Sequence, residues 1–167
     1  MERADAVTAA GSPSGVGAHV TDLVSSTVAG HVPVARAAVE LVARCDAELL
    51  AAQLATDPAE RFLHAHLAAL RLAGALLEAE GARPPRGRPR SAWDRLTAAV
   101  PGCAAWAAFF TTGARVRAAI DAGRPDTVDD AFASTWVAAA EDFRDVVCVR
   151  LGIDPFADLR STTAWAS

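Results

Sequence analysis

Lysine, tyrosine and asparagine are absent from this chain, isoleucine occurs twice and methionine once. Every basic charge is therefore an arginine. The place of the missing types is taken by alanine, the strongest helix former, at 41 of 167 positions. β-Branched and aromatic residues are outnumbered by alanine, which excludes a β-sandwich, while Leu, Val, Trp and Phe are frequent enough to exclude a chain disordered throughout. The balance of 16 basic and 20 acidic side chains leaves a formal charge of −4, so the whole molecule is not a polycation built for nucleic acid. Cysteine is scarce and unpaired: Cys45, Cys103 and Cys148 have no C-x-x-C spacing and an odd total, which predicts three buried free thiols in a reducing compartment.

A secretion signal is also missing. Glu2, Arg3 and Asp5 lead into a Gly/Ser/Ala stretch with no compact leucine run. The one long uncharged window, from Leu96 to Ala114, contains Pro101, Gly102, Gly113, three threonines and seven alanines, a poor composition for crossing a bilayer. The expectation is a soluble, cytoplasmic protein without a membrane partner.

Residues 1–31 carry Ser12-Pro13-Ser14-Gly15 and no sustained period, and are predicted to form a disordered N-terminal arm. Helical periodicity then defines a domain over residues 32–152. Val39, Val42, Cys45, Leu49 and Ala52 recur at three- and four-residue steps, with Glu40, Arg44 and Glu48 as a charge ladder, so a first helix is predicted over 34–55. Asp57 can cap a second helix over 58–80, with Pro58 at its first position and Glu60 completing a D-x-x-E box. The polar residues of that helix, Glu60, Arg61, His64, Arg71 and Glu78, fall on one narrow stripe. Phe62, Leu63, Leu67, Leu70, Leu76 and Leu77 cover the rest, as expected of a central helix packed on more than one side.

The run from Gly81 to Arg90 holds three prolines and two glycines and reads as a loop. Ser91 and Asp94 then form a second capping pattern before a short helix with Trp93, Leu96 and Val100 on its apolar face, ended by Pro101 and Gly102. A fourth helix is predicted over 102–122, presenting Trp106, Phe109, Phe110, Gly113, Val116 and Ile120, with Gly113 permitting close approach. Asp126 and Asp129 repeat the capping pattern before a fifth helix over 127–151, whose buried face is Val128, Phe132, Trp136, Ala139, Phe143, Val146 and Val147. Gly152 is placed to stop it. Residues 153–167 read as a short C-terminal tail in which Phe156 and Trp165 could dock. Short connections favour antiparallel neighbours in an all-α bundle of four to five helices.

Few residues have the makings of chemistry. His19 and His31 lie in the arm without nameable partners. His64 and His66, two positions apart, point roughly 200° from each other on a helix, so one metal cannot take both. No metal and no cofactor is expected, since no phosphate-binding glycine loop, dinucleotide fingerprint or G-x-S-x-G elbow occurs. His66 has Phe62, Leu63, Ala69 and Leu70 at helical spacing, which places an imidazole on an apolar side and reads first as a satisfied core histidine. Arg61 and His66 together form R-x4-H, in which a histidine could move the proton of a ribose 2′-hydroxyl and an arginine could hold the phosphate. On a regular helix the two are about 140° apart, so they converge only through an irregular turn or a second subunit. Charge is segregated along the chain. Arg83, Arg86, Arg88, Arg90 and Arg95 stand against Asp94 alone, whereas Asp121 to Asp145 carries seven acids and two arginines. The basic loop could meet phosphates, or it could meet the acidic region of the same or a neighbouring chain. Its core, Pro85-Arg86-Gly87-Arg88-Pro89, resembles an AT-hook for the minor groove of DNA.

From Val34 to Leu151 the chain resembles an actinobacterial family of HEPN-domain proteins. The resemblance rests on Asp57-Pro58-Ala59-Glu60-Arg61 leading into Ala65-His66-Leu67-Ala68-Ala69-Leu70-Arg71, then Arg88-Pro89-Arg90-Ser91-Ala92-Trp93, then Trp106-Ala107-Ala108-Phe109-Phe110, and the acidic opening of the fifth helix. It implies a HEPN-like bundle, often dimeric, in a superfamily of metal-independent ribonucleases and noncatalytic RNA-associated or nucleotidyltransferase-partner domains. Active members carry R-x4-6-H near the last core helix. Here Arg144 and Arg150 occupy that helix without a histidine, and the only match is Arg61 to His66 in the second. The resemblance therefore implies a noncatalytic bundle acting as a homodimer through protein or RNA contacts. The alternatives are a metal-independent ribonuclease using Arg61 and His66, and a DNA- or RNA-binding protein using Arg83, Arg86, Arg88 and Arg90.

Overall fold

The computed structural model describes residues 35–82 and 91–154. The N-terminal arm, the tips of the Arg-rich loop (Arg83, Arg86, Arg88 and Arg90) and the tail residues Phe156 and Trp165 lie outside the described residues. Within them the chain is all-α, with no strand: α1 (Arg36–Leu54), α2 (Pro58–Ala79), α3 (Ala92–Ala99), α4 (Ala104–Thr111), α5 (Gly113–Asp121) and α6 (Asp130–Leu151). Single 3-10 turns, Pro101–Cys103 and Pro125–Thr127, precede α4 and α6.

The local signals place most boundaries. Asp57 accepts a hydrogen bond from Glu60 N–H and Pro58 opens α2, although Asp57 N–H does not donate in return to the Glu60 carboxylate. At Ser91 both halves of the capping box form with Asp94. Gly152 ends α6 at φ 65°, the left-handed geometry that glycine adopts without a Cβ penalty.

Three expectations are corrected. The predicted fourth helix is divided at Thr112, where the hydroxyl and the backbone N–H both donate to Phe109 C=O and interrupt the α-helical ladder. The predicted fifth helix is capped by Asp129 alone, whose side chain accepts from Phe132 N–H. Pro125 closes the chain into the 3-10 turn first, and Val128 leaves it extended and buried. On α1 the buried seam is Ala38, Val42, Cys45, Leu49 and Ala52, so Val39 faces outward, 44 % exposed.

α2 is central, packed by α1, α3, α5 and α6. By length and composition it is the one helix among the described residues that could cross a membrane, but its apolar faces are covered by its own bundle. The uncharged window at 96–114 spans parts of α3, α4 and α5 and is no single helix. Alanine lets α1 and α2 approach closely: Ala38 and Ala52 face a second helix whose Ala65, Ala68, Ala69, Ala73 and Ala75 are all buried. Cross-links give the directions. Leu41 lies against Gly74 while Glu48 reaches His64, so α1 and α2 are antiparallel; Gln53–Glu141 and Asp46–Arg144 make α1 and α6 antiparallel. Arg61–Asp130 and Glu80–Arg150 show that α2 and α6 run parallel, because α3 to α5 carry the chain back to the starting end.

The opposite side of α2 carries the large side chains. Phe62, Phe109, Phe110, Phe132 and Trp136 form a connected ring cluster that continues through Phe143, Trp106 and Trp93, with centroid separations of 4.8 to 6.0 Å. Such edge and offset contacts add to simple area burial.

Candidate functional site

Arg61 and His66 leave α2 in different directions, as their spacing requires. Arg61 reaches across to the start of α6, donating from one guanidinium nitrogen to Asp130 Oδ1 at 3.1 Å and from the other to Ser134 Oγ at 3.0 Å. A 3-10 turn and an extended residue set the position of that helix start, so the partner of Arg61 is 69 residues away and carries no sequence signal.

His66 points inward. Its ring stacks on Phe62 at 5.7 Å and 17°, meets Trp136 at 5.7 Å, and is 4 % exposed. Its Nδ1 has no hydrogen-bond partner among the described residues. Gly113 of α5 lies directly over it: a Cβ there would come within 2.7 Å of His66 Nδ1 and 2.4 Å of Trp136. The close approach predicted for Gly113 is thus made against the imidazole and the indole. Burial is the main force on the ring's titration, and the positive charge of Arg117 adds to it, so the pKa falls to about 4 and the ring is neutral at pH 7. The expected core histidine is present, but its Nδ1 lacks the expected hydrogen-bond partner among the described residues.

His64 stands on the other side. Its Nδ1–H donates to Glu48 Oε2 of α1 at 2.9 Å, and Arg71 approaches the other carboxylate oxygen at 3.9 Å. Glu48 is therefore drawn out of the predicted ladder on α1, where the pair that forms is Arg36 with Glu40 at 2.9 Å. No group of three or more His, Cys, Asp or Glu that could hold a metal occurs among the described residues.

The two arginines of α6 pair with acids on α1 and at the end of α2. Arg144 holds Asp46 of α1 through two hydrogen bonds, and this pairing raises its pKa further. Arg150 binds Glu80 at 2.8 Å. At the base of the Arg-rich loop, Arg95 donates to Ala82 C=O at 3.1 Å, so the chain leaves and rejoins the bundle at one place. The three cysteines are free and buried, as predicted.

A family model of SAV_6107-like HEPN domains matches residues 52–148. The chain belongs to the HEPN family. The match begins in the last turn of α1 and ends in the last turn of α6, so it takes in α2, the capping box at Ser91 and the whole aromatic cluster. No curated protein and no solved structure matches the chain. Within this HEPN bundle, the two R-x4-H residues occupy a surface ion pair and an aromatic interior.

Proposed function

We propose that this HEPN bundle is noncatalytic and works as a homodimer in the cytoplasm, through contacts with RNA or protein. The observation that carries this reading is the divergence of Arg61 and His66. A ribonuclease needs an imidazole that reaches the 2′-hydroxyl and a guanidinium free for the phosphate. His66 is buried beneath Gly113, and Arg61 is engaged by Asp130 and Ser134. The buried free thiols fit a reducing compartment.

The contact surface assigned in this reading is the Arg83 to Arg90 loop. Arg95 pins its base through Ala82, which supports presentation of Arg83, Arg86, Arg88 and Arg90 from one point of the bundle. A phosphate-bearing strand suits four arginines with no acid among them. If the partner is single-stranded RNA, the log-log salt slope shrinks by about 0.7 for each phosphate contact removed in Arg86→Ala or Arg88→Ala.

The test is a metal-free RNA cleavage time course with wild type, Arg61→Ala and His66→Ala, each checked for native helical signal, with sedimentation of the same samples. The expected result is uncut RNA and a dimer. Cleavage that leaves 2′,3′-cyclic phosphate ends and disappears in both variants would overturn the reading in favour of a ribonuclease using these two residues.

A further inference from the structure

Three of the four exposed large apolar side chains among the described residues lie on α1: Val39, Leu50 and Leu54, at 44, 56 and 73 % exposure. With Ala43 and Ala47, also exposed, they recur at four- and three-residue steps and form one stripe along the outer side of the helix. Among the described residues α1 packs chiefly on α2 and α6, which take its Ala38 to Ala52 seam, and this stripe is left exposed.

The chain outside the described residues ends where the stripe begins. Residues 1–34 precede α1, and over one short window they carry a matching pattern: Val20, Leu23, Val24 and Val28 at positions i, i+3, i+4 and i+8, with Thr21, Asp22, Ser25, Ser26 and Thr27 between them. Ala35 has φ −55° and ψ 130° and makes no side-chain cap, so α1 opens at Arg36 on a residue outside helical geometry. The link from Ala29 to Ala35, with Gly30 and Pro33 in it, reaches about 23 Å when extended, enough to reverse direction over the 8–10 Å between packed helices.

We propose that residues 20–28 fold back along α1, with Val20, Leu23, Val24 and Val28 covering the stripe from Val39 to Leu50. The size of the stripe selects this occupant. A stable dimer buries about 800 Å² on each partner, more than three apolar side chains and two alanines offer, whereas a segment tethered by seven residues sees the stripe at roughly millimolar effective concentration. The arm is a ligand in cis, and it leaves dimer formation to another face.

The test uses the full chain with cysteine pairs, since the native thiols are buried. Val24→Cys is combined with Ala43→Cys, with Ala47→Cys, or with Ala114→Cys on exposed α5 as a control. Under mild oxidation, the α1 pairs are expected to form an intrachain disulfide at least about tenfold faster than the control, and Val39→Asp with Leu50→Asp is expected to abolish that advantage. Both side chains are exposed, so these substitutions leave the bundle folded, which far-UV circular dichroism verifies. Equal rates for the α1 and control pairs would overturn the proposal. So would a disulfide formed only between chains, which would assign the stripe to a second copy.

Discussion

His66 is an imidazole in an aromatic interior, with no hydrogen-bond partner on Nδ1 among the described residues, and its stability contribution has a definite sign. Its folded pKa of about 4 lies below the ordinary 6.5, so between those values the unfolded chain binds the extra proton. The contribution is complete above pH 6.5 and is lost as the pH falls toward 4, by on the order of 3 kcal/mol. His66→Leu removes the titrating group and the unpartnered nitrogen together. Thermal melts should show it at least as stable as wild type at pH 7 and less sensitive to acid between pH 6.5 and 4; an unchanged acid slope would show that His66 takes up its proton near the ordinary value in the folded state. Gly113 gives the opposite lesson about local preference. Alanine is better than glycine within a helix by about 1 kcal/mol, yet its Cβ would meet an indole fixed between Phe62, Phe109 and Phe110. Overpacking of this kind costs roughly 1 to 3 kcal/mol, so Gly113→Ala should lower stability in denaturant titrations. A stabilised variant would place Trp136 elsewhere.

Single helices are governed by their ends. α3 has eight residues, too few to persist alone, and depends on its capping box and on Trp93 and Leu96 beneath it. Ser91→Ala removes the acceptor for Asp94 N–H and should cost about 1 kcal/mol, measurable as a lower denaturation midpoint with unchanged slope. No change would mean that water caps α3 equally well. These boundaries were legible because the cap and the helix it starts lie within four residues of each other. The division of the fourth helix was not: Thr112 is compatible with a continuing helix, and the break takes shape where Gly113 must pass over His66 and Trp136. On α1 both Ala38 and Val39 fit the period of the buried seam. Hydropathy favours valine, but close packing of α1 on α2 favours the smaller residue, and the larger one is turned outward.

For the molecule as a whole, burial silences its nucleophiles. Desolvation lifts the Cys45 thiol to about 12 and raises Cys103 and Cys148 as well, so none is a thiolate at neutral pH. A thiol reagent at pH 8 should label none of the three in the native protein on the timescale that labels all three in denaturant; fast labelling of one would mean that its helix opens locally. Alanine content, helical periods, caps and stop signals determined an all-α bundle with α2 at its centre and Asp57-Pro58, Ser91 and Gly152 at its joints, because each of these is satisfied by neighbours a few residues away. Only the tertiary structure decided that His66 is buried without a partner for Nδ1, that Arg61 belongs to Asp130 and Ser134, that Glu48 leaves its own helix for His64, and that α6 runs parallel to α2. Those outcomes depend on side chains up to 73 residues apart, brought together by packing, and no local pattern encodes which of several chemically equivalent partners the fold will supply.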